Sequence, residues 1–229
     1  MRCSRLPLTL RAAIAGIALA ASVCSPALAK GNGFYYLDPS QIDLTVLLPP
    51  PPNLGSPQAL ADEEKVAKTI AHSSSRQVET AEEERKRSVF AFTPVLGPDF
   101  TAQRLPLTTK FFSHVASDVR LLVDRAKAYW ERPRPDGTVV KGSYPSGHAA
   151  FASSTAIILS QMVPAKRDAI FDQARQFAEN RIILGVHFPT DVAAGWTAGT
   201  LAAYVMMQAP AFQRDFAAAR AEVQRTVRQ

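Results

Sequence analysis

Apolar residues recur at three- and four-residue spacing through the middle of the chain, at Phe111, Val115, Val119, Leu122, Ala126 and Tyr129. That period places them on one face of a helix. The prolines of "ERPRPDG" end it, since each removes a backbone donor and restricts the residue before it. Further on, the pattern predicts a helix from near Ser146 to about Met162, a second from Lys166 to Leu184 that stops at Gly185, and a third from Asp191 to Met207. Pro210 opens a short final one. The glycines and alanines of "DVAAGWTAGTLAAY" permit close helix approach. Upstream, residues 58–89 turn helical and charged. Val66, Ile70, Val78 and Ala81 form a partial stripe there, and "ETAEEERKR" reads as a solvated face. Phe90 to Pro106, with three prolines and a glycine, reads as a connection. No alternation persists long enough to suggest a sheet. The expectation is an all-α, single-domain protein.

The N-terminal end departs from this pattern. Arg2, Arg5 and Arg11 precede an apolar run from Ala12 to Val23, and Ala27-Leu28-Ala29 offers a small-x-small cleavage site. Residues 1–29 thus read as a secretory signal peptide, with a run too short for a membrane span of about 20 residues. Residues 30–57 form an irregular arm with an aromatic cluster, "GNGFYYLDPS", and four consecutive prolines in "LLPPPPNLGSP". The aromatics and Leu47-Leu48 argue that the arm packs over the body, which is expected at 58–229. Cleavage after Ala29 leaves 200 of the 229 residues, and lowers the formal charge from +6 to +3 by removing three arginines. So mild an excess does not indicate nucleic acid. Both cysteines, Cys3 and Cys24, fall in the leader, so packing without disulfides has to hold the exported chain together. No later segment reads as transmembrane, and the expected location is periplasmic or secreted, without stable membrane insertion.

Cationic and proton-bearing residues cluster near the ends of the predicted elements. Lys127 lies near the end of the periodic helix, Arg134 in the proline-held turn, Arg181 near the end of a later helix, and His148 directly after Pro145-Ser146-Gly147. Such a set suits a compact, multiply charged anion: arginine offers a fixed fork of donors, lysine a point charge, and a helix start offers backbone N–H groups. Gly147 lets the anion approach the backbone closely. His187 and Asp191 are four residues apart, and a turn into a helix could bring them together. A carboxylate on one imidazole nitrogen fixes the tautomer and leaves the other nitrogen free to attack. His148 is then the natural proton donor to a leaving alcohol. Neither a metal cluster nor a Walker motif is visible, so no metal or cofactor is expected.

Three motifs carry a resemblance: "KAYWERPRP" from Lys127 to Pro135, "PSGH" from Pro145 to His148, and "NRIILGVHFPTD" from Asn180 to Asp191. In order and spacing they resemble the signature of the bacterial class A non-specific acid phosphatases, within the wider family of type 2 phosphatidic acid phosphatases and vanadium haloperoxidases. The resemblance implies a compact helical bundle of that kind and a secreted phosphomonoesterase. It implies that Lys127, Arg134 and Arg181, with Ser146 and the backbone of Gly147, bind phosphate oxygens. His187 would form a phosphohistidine, oriented by Asp191, and His148 would protonate the leaving oxygen. Asn180 stands where the family has serine, a departure that would modulate affinity or preference. Implied partners are small phosphate monoesters, with phosphate or vanadate as competing oxyanions, and a homodimer or larger homo-oligomer. The other readings are a lipid phosphate phosphatase, a vanadate-dependent haloperoxidase, and a non-catalytic exported anion-binding protein.

Overall fold

The structure, a computed structural model, describes Met1, residues 33–138 and residues 142–227. The signal peptide expected at 1–29, with both cysteines, lies outside the described residues apart from Met1. The elements are α1 (Leu44–Leu47), α2 (Pro57–His72), α3 (Ser75–Glu83), a 3₁₀ turn (Val89–Phe92), α4 (Thr93–Leu96), α5 (Pro106–Trp130), α6 (Gly147–Met162), a second 3₁₀ turn (Pro164–Lys166), α7 (Arg167–Ile183), α8 (Pro189–Met206) and α9 (Pro210–Thr226). Among the described residues there is no strand.

The body is built around α6. Of its 16 residues only His148, Ile157 and Gln161 escape burial, as expected of a helix apolar on all sides. It packs against α7, α8 and α5. Against α8 the approach is close because that helix carries glycine at the contact. A Cβ at Gly199 would collide with the Ala150 carbonyl and the Ser153 hydroxyl, and one at Gly195 with the Ser146 carbonyl.

On α5 the stripe from Phe111 to Ala126 is buried, whereas Tyr129 is 67% exposed and rests only edge-on against Trp130. In that last turn Trp130 faces the core and Tyr129 faces away from it, and Glu131, in the left-handed region at φ 45°, ends the helix by donating its N–H to the Lys127 carbonyl. The stretch expected to be helical at 58–89 holds two helices, α2 and α3. Ser74 and Gln77 form a reciprocal capping box that starts α3 afresh after Ser73. Of the stripe read there, Val66 and Ala81 are buried, while Ile70 and Val78 are largely exposed. The final helix is long rather than short: Phe212, Ala219 and Val223 give it a buried face, and Glu222 takes the Leu107 and Thr108 amides at the start of α5.

The arm lies on its own body. Asp118 of α5 accepts the backbone N–H groups of Tyr35, Tyr36 and Leu37 at 2.8, 2.7 and 2.9 Å. Tyr35 stacks on His114 with ring centroids 3.8 Å apart. Leu48 is buried, but Leu47 is half exposed, because α1 turns only one side inward.

Candidate active site

Four elements converge on the N-terminus of α6. Ser146 caps that helix, its hydroxyl accepting the Ala149 N–H at 3.4 Å. Its own N–H donates to the Asp191 carbonyl at 2.9 Å, which binds the start of α6 to the start of α8. Gly147 opens α6, and His148 follows it. The Nε2 of His148 meets the Arg85 carbonyl at 2.9 Å and its ring lies over Phe177. With Nε2–H donating to that carbonyl, Nδ1 is the nitrogen left for chemistry.

His187 sits one residue before the N-cap of α8. Pro189 at the first helical position starts the helix rather than interrupting it, so α8 begins two residues earlier than its pattern suggests. Asp191, in the first turn, accepts the Phe188 N–H at 2.8 Å and holds His187 Nδ1 at 3.3 Å. This fixes Nε2 as the lone-pair nitrogen. Arg134 reaches across to it at 3.4 Å while donating to the Val186 carbonyl at 2.7 Å. Lys127, at the end of α5, donates to the carbonyls of Gly142 and Ser143, just ahead of the Ser146 cap. Arg181 is 2% exposed and donates through Nη2 to the Ala81 carbonyl at 2.6 Å. Its Nε is buried without a partner among the described residues. Such an orphan donor costs roughly 1–3 kcal/mol unless an acceptor meets it, and an anion oxygen would be that acceptor.

Burial and mutual repulsion set the charges. Burial, then Arg134, brings Lys127 down to about 7. Burial lowers His187 to about 4 despite Asp191, with Lys127 and Arg134 adding to the effect. His148 falls to about 3 through burial, then the field of Arg181. For Asp191 burial pushes upward, but His187, Arg132 and the Phe188 N–H together hold it below its ordinary value. The site is therefore a cationic pocket holding two neutral imidazoles.

The structure thus brings together Lys127, Arg134, Ser146, Gly147, His148, Arg181, His187 and Asp191. Asn180 is placed differently. Its amide donates to Glu84 at 2.6 Å and accepts from Gln176 at 2.8 Å, so it acts on the site by holding Glu84, whose field reaches Arg181. Among the described residues no three His, Cys, Asp or Glu side chains are grouped as metal ligands would be, and no helix is long and apolar enough to cross a membrane.

Two supporting residues escape motif reading. Arg132 is 9% exposed and donates to Asp191 at 2.7 Å and to Asp62 at 2.9 Å, with its guanidinium 4.2 Å over the Phe188 ring. Asp62, on α2, also accepts from the Thr190 N–H and hydroxyl. The chain Asp62–Arg132–Asp191–His187 therefore extends the orienting carboxylate by two buried groups. The signal for Asp62 was its position: with Ala59 and Val66 it falls on the inward face of α2. Asp62→Asn keeps the shape and removes the charge. It is expected to cost about 1.5–3 kcal/mol, read as a melt lowered by about 3–12 °C, and to lower kcat/KM through a looser His187.

An all-helical bundle that gathers two histidines, an orienting carboxylate and three cations around one helix start defines an anion-handling enzyme. The sequence pattern of the PAP2 superfamily matches residues 98–215. The chain is 30% identical over 208 residues to the non-specific acid phosphatase of Providencia stuartii, covering 82% of this chain and 84% of that protein. It is also 30% identical over 195 residues to that of Salmonella typhi, covering 77% and 78%. A shorter match, 36% over 91 residues, links it to the decaprenylphosphoryl-5-phosphoribose phosphatase of Mycolicibacterium smegmatis, covering 37% of this chain and 47% of that protein. The chain belongs to the PAP2 superfamily and is an acid phosphatase within it.

Proposed function

We propose that the protein is an exported phosphatase that hydrolyses phosphate monoesters through a phosphohistidine at His187. The observation that carries this reading is the His187 ring, held at Nδ1 by Asp191 with Arg134 against Nε2. A phosphoryl group beside Nε2 would be met by Arg134, Lys127, the orphan Nε of Arg181 and the α6 N-terminus, which together stabilise its equatorial oxygens. The Nε2 lone pair forms the N–P bond as the P–O ester bond breaks, and His148 Nδ1 relays the proton carried in by the substrate monoanion to the leaving oxygen. Water then attacks phosphorus, His148 takes a proton from it, the N–P bond breaks and inorganic phosphate leaves. Export rests on the secretory-leader pattern of residues 1–29 in the sequence and on the likeness to the bacterial acid phosphatases.

The neutral His148 gives this scheme a pH signature. With its pKa near 3 in the free enzyme, the proton for the leaving group arrives with the substrate monoanion, which predominates below a second phosphate ionisation at about 6. Lys127 loses its charge as pH rises through about 7, weakening anion binding from the same side. On the acid side, His187 is protonated, and so disarmed, as pH falls through about 4. The expected kcat/KM profile for an aryl phosphate, measured on metal-stripped enzyme, therefore rises between about 4 and 5 and declines above about 6. A profile still climbing at pH 8 would remove this scheme.

A lipid phosphate is the second reading, favoured by a groove of about 800 Å³ that Arg134 shares with Leu54, Val66, Ile70, Trp130 and Phe188, and by the lipid-linked name of the mycobacterial relative. A kcat/KM for a short-chain phosphatidic acid well above that for the aryl phosphate would select it.

A further inference from the structure

Arg87 belongs to none of the three motifs, yet it lies against the site they build. It follows α3 in the short segment 84–88, which is docked by backbone and side chain alike: the Arg85 carbonyl holds His148, and Glu84 holds Asn180. From that segment the half-buried Arg87 points its guanidinium at the start of α6. Its Nη1 lies 3.0 Å from where a Cβ on Gly147 would sit, beside Val123. Any side chain at 147 would meet it. Among the described residues Arg87 makes no hydrogen bond and no ion pair. The carboxylate that acts on it at longer range, Asp124, is itself bridged to Arg120. Arg87 therefore stands beside the residue preceding His148, in the segment whose Arg85 carbonyl holds that imidazole, and its field lowers the proton affinity of both Lys127 and His148.

The charges around that point do not balance. Lys127, Arg134 and Arg181, together with the α6 N–H groups, already answer the two charges of a transferred phosphoryl group. Asp191 is committed to His187 and Arg132, and Glu84 to Asn180 and Gln173. A fourth cation, a guanidinium with no hydrogen bond or ion pair among the described residues, is unfavourable beside a helix N-terminus until an anion joins it. We propose that Arg87 is a specificity-determining contact for a second anionic group carried on the leaving side of the substrate, so that the enzyme favours terminal phosphates of diphosphate-type esters over monophosphates with neutral leaving groups. This rests on the phosphomonoesterase reading above, and takes it one step further, to the substrate class.

The matched pair adenosine 5′-monophosphate and adenosine 5′-diphosphate tests it, since release of the terminal phosphate leaves a neutral nucleoside in one case and an anionic nucleotide in the other. The wild type is expected to give the higher kcat/KM on the diphosphate. Arg87→Ala should lower the ratio of the two values by about tenfold or more, mainly through KM, as loss of a charge-assisted contact does. Arg87→Lys should keep part of the preference, since it retains the charge without the fork. A ratio unchanged in a variant whose melt matches the wild type overturns the proposal, whether the two activities fall together or stay as they were. A folded wild type inactive on both nucleotides and on aryl phosphate overturns the underlying reading instead.

Discussion

Replacing His187 by asparagine is expected to lower kcat by about 10⁴-fold or more, the scale seen when a covalent nucleophile is removed from a preorganised site. Asparagine offers no nucleophilic lone pair on nitrogen, but it fits the space and can still donate to Asp191. The cations that bind the anion are untouched, so inorganic phosphate should remain a ligand of the variant with an affinity within a few-fold of the wild type. The same contrast separates an enzyme from a mere anion-binding protein. A burst of labelled phosphate on the wild-type protein, recovered after alkaline quench and absent from His187→Asn, would identify the covalent species. Residual activity within tenfold of wild type would instead mean that another group attacks phosphorus, and that the ring held between Asp191 and Arg134 has only a structural part.

The motif residues were legible because their chemistry is carried by short spacings that the local structure preserves. Ser146-Gly147-His148 forms a helix start, and His187 to Asp191 forms a turn into a helix with proline at its first position. The buried face of α5 was legible for the same reason: a 3.6-residue period needs no partner to be recognised. What escaped depends on pairings across long separations. Asp62 lies in the acidic run "ADEEK" and looks like solvated charge, yet it meets Arg132 70 positions away. Asp118, which gathers three amides of the N-terminal arm, is one of two acids on α5 and carries no mark in the sequence that sets it apart from Asp124. Arg87 reads as part of "EERKR", and only the fold of the 84–88 segment turns it onto Gly147. The length of α9 was missed because its apolar face is sparse and becomes a face only against α5. In each case the residue type was visible and the partner was not.

The largest structural effect is expected at Gly199. An alanine there would place its Cβ inside the Ala150 carbonyl and the Ser153 hydroxyl, with backbone on one side and a side chain already bonded to the Trp196 carbonyl on the other. Neither can yield as a flexible chain end would, so α8 has to move off α6. Overpacking of this kind costs about 1–3 kcal/mol and more where backbone must shift. A loss of about 3 kcal/mol would lower the melting temperature of a body this size by about 6–12 °C. The consequence reaches the chemistry, since the same two helices carry His148 and Asp191 and are tied together by the Ser146 N–H and the Asp191 carbonyl. Gly199→Ala should therefore lose activity at temperatures where it is still folded, whereas a purely global destabilisation would leave kcat intact until the melt begins. The control is Thr197→Ala on the exposed side of α8, where the hydroxyl bonds only to Ala193 one turn back. That change should move neither quantity appreciably, and a comparable drop in both variants would show that α8 is fragile throughout rather than pinned at its glycines.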